Sequence, residues 1–370
     1  MRRPAHLLLC AALLAASAIA NAQTTADDPL LQAPAAEQSN ESNWTWSGDA
    51  VVRGERTTDI PGVRPSSDLD RVRSRVRIGG LWTARPDLEI GGAIKLALGS
   101  DANRENRINN DNEHSDGAAL DQLFVRWRPG ENTSLLFGKT PLPLELSPLV
   151  WDRDLRPAGV SIDHSVAFGD FNRLQFTAGA FAGEQLYHDD SRIAAGQIAW
   201  RWHEGAPSNG AVLLSLLDFQ DLDALARNGL GRTNLRNAAG FVSDFRLLDL
   251  QLVGRHELGG WPFEARLDLV RNLGADADQD GARLSLVAGD RRRAQMWEFG
   301  FAWQRQQRDA VLAAFTEDDW WFHSFSRGAM PWLGYGLTDH FSVRLAGFRE
   351  RRDGIANHTQ RVLLDLEARW

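Results

Sequence analysis

The sequence predicts an all-β fold, a transmembrane antiparallel β-barrel of about 16 strands, and three observations predict it. Residues 70–83, DRVRSRVRIGGLWT, put Arg71, Arg73, Arg75 and Arg77 on one face and Val72, Ser74, Val76 and Ile78 on the other. A helix would scatter these arginines around its circumference, whereas a strand sets them in one row. The same apolar-and-charged alternation recurs from Asn43 to Trp370, with no convincing amphipathic helix between the segments. Finally, the connections alternate in length: short at 84–87, 129–132, 169–172, 259–262 and 338–340, long at 57–69, 100–117, 141–157, 220–237 and 307–327. Short periplasmic turns on one side and long extracellular loops on the other are the pattern of an outer-membrane barrel.

The N-terminus comes first. Arg2 and Arg3 precede an apolar run, Leu7 to Ala20, that ends in Ala20-Asn21-Ala22. Residues 1–22 thus read as a secretory signal peptide, with Cys10 lost on cleavage. Losing two arginines and no acid takes the net charge from -8 to -10 and leaves no cysteine for a disulfide. Residues 23–42, polar and holding two prolines, read as a flexible periplasmic linker, and 43–370 as the barrel.

Alternation then places strands at 44–56, 70–83, 87–99, 118–128, 132–140, 158–168, 172–182, 192–203, 210–219, 243–257, 262–273, 280–289, 294–306, 328–337, 340–351 and 358–370. An even count leaves both termini on the short-turn, periplasmic side. Fourteen or eighteen strands are the alternatives, because 231–257 reads as one strand or two and 307–327 has room for a strand pair. A barrel of this size holds an aqueous lumen rather than a core filled with side chains.

Tryptophan outnumbers tyrosine by 14 to 2. Trp44, Trp46, Trp82, Trp127, Trp200, Trp202, Trp261, Trp297 and Trp370 fall near short-turn strand ends, and Trp303, Trp320 and Trp321 near or in the long-loop side, as two interfacial belts would. The chain ends on the alternating Leu364-Asp365-Leu366-Glu367-Ala368-Arg369-Trp370, and a terminal aromatic there resembles the signal read by the barrel-assembly machinery.

Composition removes other classes. A mean hydropathy of -0.35 excludes a bundle of transmembrane helices. A net charge of -8 argues against nucleic acid as a partner. No His-Glu-x-x-His and no Gly-x-Ser-x-Gly occurs, so no catalytic residue and no enzyme is expected. No metal and no cofactor is expected either: loop 100–117 is rich in oxygen ligands, but Asp101, Asn103 and Glu105 lack the glycine and terminal glutamate of a calcium loop.

Arginine facing lipid near the midplane costs a few kcal/mol, on the order of 2–4, so the row Arg71, Arg73, Arg75 and Arg77 must face water inside. Alternation adds Lys95, Arg126, Arg128 and Arg201 to this pore-lining set. Two readings stay open: a cationic ladder that favours anions, or arginines paired with lumen carboxylates such as Asp365 and Glu367. Loop 141–157, PLPLELSPLVWDRDLRP, carries Leu144, Leu146, Leu149, Val150 and Trp151, which need burial that the lumen offers. Folded inward, it would set Trp151, Asp152, Arg153, Asp154 and Arg156 at a constriction; packing on the rim is the alternative.

Several segments carry a resemblance: Asp70 to Arg77, Leu98-Gly99-Ser100-Asp101-Ala102, Leu120 to Trp127, Phe137-Gly138-Lys139, Leu149 to Val160, Asp309 to Thr316 and Tyr335 to Asp339. They resemble the family of putative porins of Gram-negative outer membranes, over most of 44–370 and best in the first half. The resemblance implies a water-filled pore for passive diffusion of small hydrophilic solutes, set in outer-membrane lipid and lipopolysaccharide. A phosphate-selective porin is a related alternative. Porins of this size often form a homotrimer, although no contact face is marked. The reading from a different class is an adhesin or structural barrel acting through its long loops.

Overall fold

The computed structural model describes residues 43–61, 67–99, 117–169, 171–183, 190–227 and 231–370. The expected signal peptide (1–22), the expected linker (23–42) and nearly all of loop 100–117 lie outside the described residues. In chain order the strands are β1 (Trp44–Ile60), β2 (Ser67–Arg85), β3 (Leu88–Gly99), β4 (Gly117–Gly130), β5 (Thr133–Lys139), β6 (Ala158–Phe168), β7 (Asn172–Ala182), β8 (Arg192–Trp202) and β9 (Ser208–Gln220). The helix α1 (Asp223–Arg227) and a small hairpin, β10 (Arg236–Asn237) and β11 (Gly240–Phe241), follow. The chain continues with β12 (Phe245–Leu258), β13 (Trp261–Asn272), β14 (Asp280–Gly289), β15 (Trp297–Gln306), β16 (Ser326–Gly336), β17 (Phe341–Arg352) and β18 (Thr359–Arg369).

Sixteen of these strands close into one barrel, each pairing antiparallel with its neighbours, and β18 meets β1. β10 and β11 stand apart as their own two-stranded sheet, so β9 pairs directly with β12. That settles the strand count. Region 231–257 gives one barrel strand and a loop hairpin. Region 307–327 hides no strand pair, since it runs inward around a 3-10 turn at Ala313–Phe315 until β16 begins at Ser326. Strands 158–168, 172–182 and 280–289 agree with the sequence reading residue for residue. The expected start of β15 at 294 moves to Trp297, because Gln295 N–H and Gly336 N–H tie this turn to the next one instead.

Closure leaves no strand edge, so backbone groups pair all the way round where lipid offers no partner. The outer face is apolar: Val72, Ile78, Ile94, Leu96, Leu98, Val362, Leu364 and Leu366 are exposed. At the short-turn end Trp44, Trp46, Trp82, Trp127, Trp200, Trp261, Trp297 and Trp370 are exposed, and Trp44 stacks on Trp46 and Trp82 at 5.7 and 6.1 Å. Trp303 is exposed toward the other end, but Trp320 is no belt residue: it is buried inside, edge-on to Phe348 at 5.3 Å. Its place in a loop agrees with the sequence reading, which missed the inward course of that loop.

Candidate functional site

The barrel interior is built from two inserted loops and the charged wall they touch. In loop 140–157, Leu142, Leu144, Leu149, Val150, Trp151 and Leu155 are buried, in one cluster with Phe181, Ile193, Leu217, Phe245 and Leu247 of the wall. The loop thus packs on inward side chains of the wall. Loop 307–325 joins the same cluster through Val311, Leu312, Ala314 and Phe315. The two loops meet: Asp152 N–H donates to Phe315 O (2.7 Å), Glu317 N–H to Pro148 O (3.3 Å), and Trp151 stacks on Phe315 at 5.4 Å.

Each loop is pinned to the wall by ion pairs and hydrogen bonds. Glu145 reaches Arg201 (3.0 Å), Arg266 (2.8 Å) and Arg255 (3.9 Å) on β8, β13 and β12. Asp154 takes Arg75 (2.5 Å) and Arg77 (3.2 Å) from β2, and Arg156 lies 3.5 Å from Asp121 on β4. On the second loop Asp319 pairs with Arg53 and Arg344, Asp318 with Arg73 (3.6 Å), and Arg361 donates to the carbonyls of Asp318 and Asp319 (2.8 Å each). Glu350 accepts the N–H groups of Trp321 (2.9 Å) and Phe322 (3.1 Å).

The expected pore-lining residues all turn inward. Arg71 and Arg73 share Glu55 with Arg361, and Arg75 and Arg77 share Asp49 and Asp154. Arg126 and Arg128 hold the two oxygens of Glu89, 2.9 Å each. Arg201 reaches Glu145, and Lys95 sits opposite Arg77 in register. The wall is thus a lattice of arginines and carboxylates rather than a bare cationic ladder. Asp365 is part of it, with Arg53 (2.6 Å) and Arg344 (3.4 Å), and Glu367 takes Arg291 (3.2 Å). Of the five residues expected at the constriction, Trp151, Asp152 and Arg156 are buried, and Asp154 faces β2. Arg153, 57% exposed, stands 3.6 Å from Glu317.

Sequence reasoning missed Asp49, Arg53, Glu55, Glu145 and the acids of the second loop. Their signal was present: Asp49, Arg53 and Glu55 sit on the inward parity of β1, and Ala310 to Phe315 is an apolar run inside a long loop.

Charge and burial divide the loop carboxylates. Burial works against ionisation at Asp154, but Arg75, Arg77 and Arg156 overcome it and hold the group well below its usual range. Glu145 is likewise lowered against burial by Arg266, Arg201 and Arg255. Asp152 goes the other way, raised by burial and then by Glu317 and Asp318. Glu317 is pushed up to about 8 by burial and Asp319, with Arg153 opposing. Two carboxylates at the loop–loop contact therefore favour the proton, while those facing the arginine wall stay ionised.

A sequence profile described as putative porin matches residues 21–237. No curated protein matches the chain. Among solved structures the fold is similar to OprB of Pseudomonas putida, at 12% identity and a TM-score of 0.58, covering 89% of this chain and 94% of that one. It is also similar to a complex of Salmonella typhi OmpF with daunomycin, at 10% identity and a TM-score of 0.54, covering 89% and 98%. A loop-deletion mutant of OmpT of Vibrio cholerae aligns at 11% identity and 0.53, covering 89% and 100%.

Proposed function

Because the chain belongs to the putative porin family, we propose that it is an outer-membrane porin of a Gram-negative bacterium, a water-filled channel through which small hydrophilic solutes diffuse passively. The observation that carries the reading is the two-faced wall: sixteen closed strands, apolar outside, with the arginine and carboxylate side chains inside. Loop 140–157 forms the constriction, together with loop 307–325. Mixed charge there orients dipolar solutes, and Arg153 is the loop cation with most access to water. The arginines give a weak anion preference, weak because carboxylates answer them at salt-bridge distance. The short turns and both termini of the barrel chain face the periplasm, the long connections face outward, and Trp370 serves the barrel-assembly machinery. A homotrimer in a lipid and lipopolysaccharide bilayer is the assembly in which this channel works.

Purified protein in planar bilayers tests the reading. Discrete open-channel steps are expected, and their absence would leave the adhesin or structural barrel standing. In a salt gradient, replacing Arg71, Arg73, Arg75 and Arg77 by glutamine leaves Asp49, Glu55 and Asp154 in excess. The reversal potential should then move toward cation selectivity, and an unchanged value would remove the arginine row from the selectivity argument.

A further inference from the structure

One feature of the wall lies outside the lumen. On the outward face of β15, β16 and β17, toward the long connections, Arg305 stands directly opposite Arg327, and Arg327 directly opposite Arg351. One step down, Trp303, Ala329 and Arg349 form the next outward row. Three adjacent strands span only about 10 Å, and like charges directly opposite one another repel. Nothing in the fold requires this crowding.

Charge balance sets the patch apart from the rest of that rim. Other outward arginines there meet their own carboxylate: Arg56 meets Asp68 (3.7 Å), Arg192 Asp221 (3.1 Å), Arg246 Asp218 (3.3 Å) and Arg271 Asp280 (2.9 Å). Among the described residues, Asp353, 3.4 Å from Arg327, is the one carboxylate in contact with the four arginines of the patch. His358 reports the same field, since slight desolvation and then Arg349, Arg351 and Arg327 disfavour its protonation. Below the patch the outward rows turn apolar with Phe301, Leu333 and Leu345, which are exposed. Guanidinium groups above a greasy wall match a lipid whose headgroup carries phosphate, because the planar fork binds phosphate oxygens in pairs while acyl chains lie on the wall.

We propose that Arg305, Arg327, Arg349 and Arg351 form a binding site for the phosphate groups of lipopolysaccharide, with its acyl chains along Phe301, Trp303 and Leu345. The choice of this lipid rests on the reading that the long connections face outward, where the outer leaflet carries it. The site itself rests on the patch alone.

Titration of detergent-purified protein with lipopolysaccharide, its dephosphorylated form, phosphatidylglycerol and orthophosphate tests the site. Phosphorylated lipopolysaccharide should bind, and the dephosphorylated form should bind at least about tenfold more weakly. The doubly substituted Arg349→Gln, Arg351→Gln protein should lose affinity by a similar factor, while Arg56→Gln, at a compensated arginine of the same rim, should not. Heat-modifiable gel mobility confirms that each variant is folded. Equal binding of the phosphorylated and dephosphorylated forms, or undiminished binding by the double variant, would overturn the site. Phosphatidylglycerol binding as tightly would overturn the lipid assigned to it, and displacement by millimolar orthophosphate would reduce it to a free-phosphate site. Conductance of the double variant should equal that of the unaltered protein. A channel silent in both would count against the porin reading and leave the lipid site to its own titration.

Discussion

Three guanidinium groups, from Arg71, Arg73 and Arg361, converge on the single carboxylate of Glu55, and all but Arg73 of these four residues are buried. Breaking such a cluster costs more than the cluster contributes, because the partners left behind stay charged out of water. Glu55→Gln is therefore expected to destabilise the barrel by about 3–5 kcal/mol, read as a lower midpoint in urea unfolding from lipid vesicles. It should also shift reversal potential toward anions. An unchanged midpoint would mean that water already screens the three arginines. At this scale the sequence was half legible. Parity told which side Arg71 faces, since a strand has only two sides. Which carboxylate answers it depends on register: Glu55 stands opposite Arg71 across β1 and β2, and Arg361 joins them from β18 at the far end of the chain.

Two loops, not one, enter the barrel, and they hold each other. Asp152 and Glu317 approach at the contact, and Glu317 is also faced by Asp319, Asp318 and Asp154, with Arg153 opposing. A carboxyl raised from 4.5 to about 8 binds its proton more tightly with the loops in place than apart. The packed arrangement is thus fully favoured below about 4.5 and loses that favour as pH rises through about 8. Amide exchange of residues 313–319 should accelerate between pH 5 and pH 9, beyond the intrinsic effect of base, and Glu317→Gln should flatten that rise. Identical pH curves for the two proteins would sink the idea. Asp154 and Glu145, held below their usual range, act oppositely, and their contribution fails only in acid. Loop 140–157 carried the signal for an inward fold in apolar residues no exposed loop would favour, with packing on the rim as the alternative. Loop 307–325 carries the same signal in Ala310 to Phe315, but by sequence that region reads only as a long connection with room for a strand pair.

The whole molecule depends on one seam. Trp370 exchanges backbone hydrogen bonds with Gly48, at 3.0 and 3.1 Å, and its ring lies where a Cβ on Gly48 would stand. The residue thus serves closure directly, besides the assembly role proposed for it. Deleting Trp370 should lower the folded, heat-modifiable fraction recovered from outer membranes several-fold, with less effect on refolding in detergent, where no assembly machinery acts. Equal losses in both would assign the residue to closure alone. At this scale Gly48 has a steric duty that composition hides: its side chain would have to occupy the space of the indole.

The sequence by itself determined the barrel: period two decides which side chains meet lipid and which meet water, and alternating connection lengths decide how strands follow one another. Those are local properties, and a strand carries them wherever it pairs. Only the tertiary structure decided what the lumen contains. The ion pairs that tie the two loops to the wall, the contact between those loops and the outward arginine patch arise from side chains on separate strands and loops, brought together when sixteen strands closed in one register. Charge at a distance of a few ångströms depends on that register, and composition averages it away.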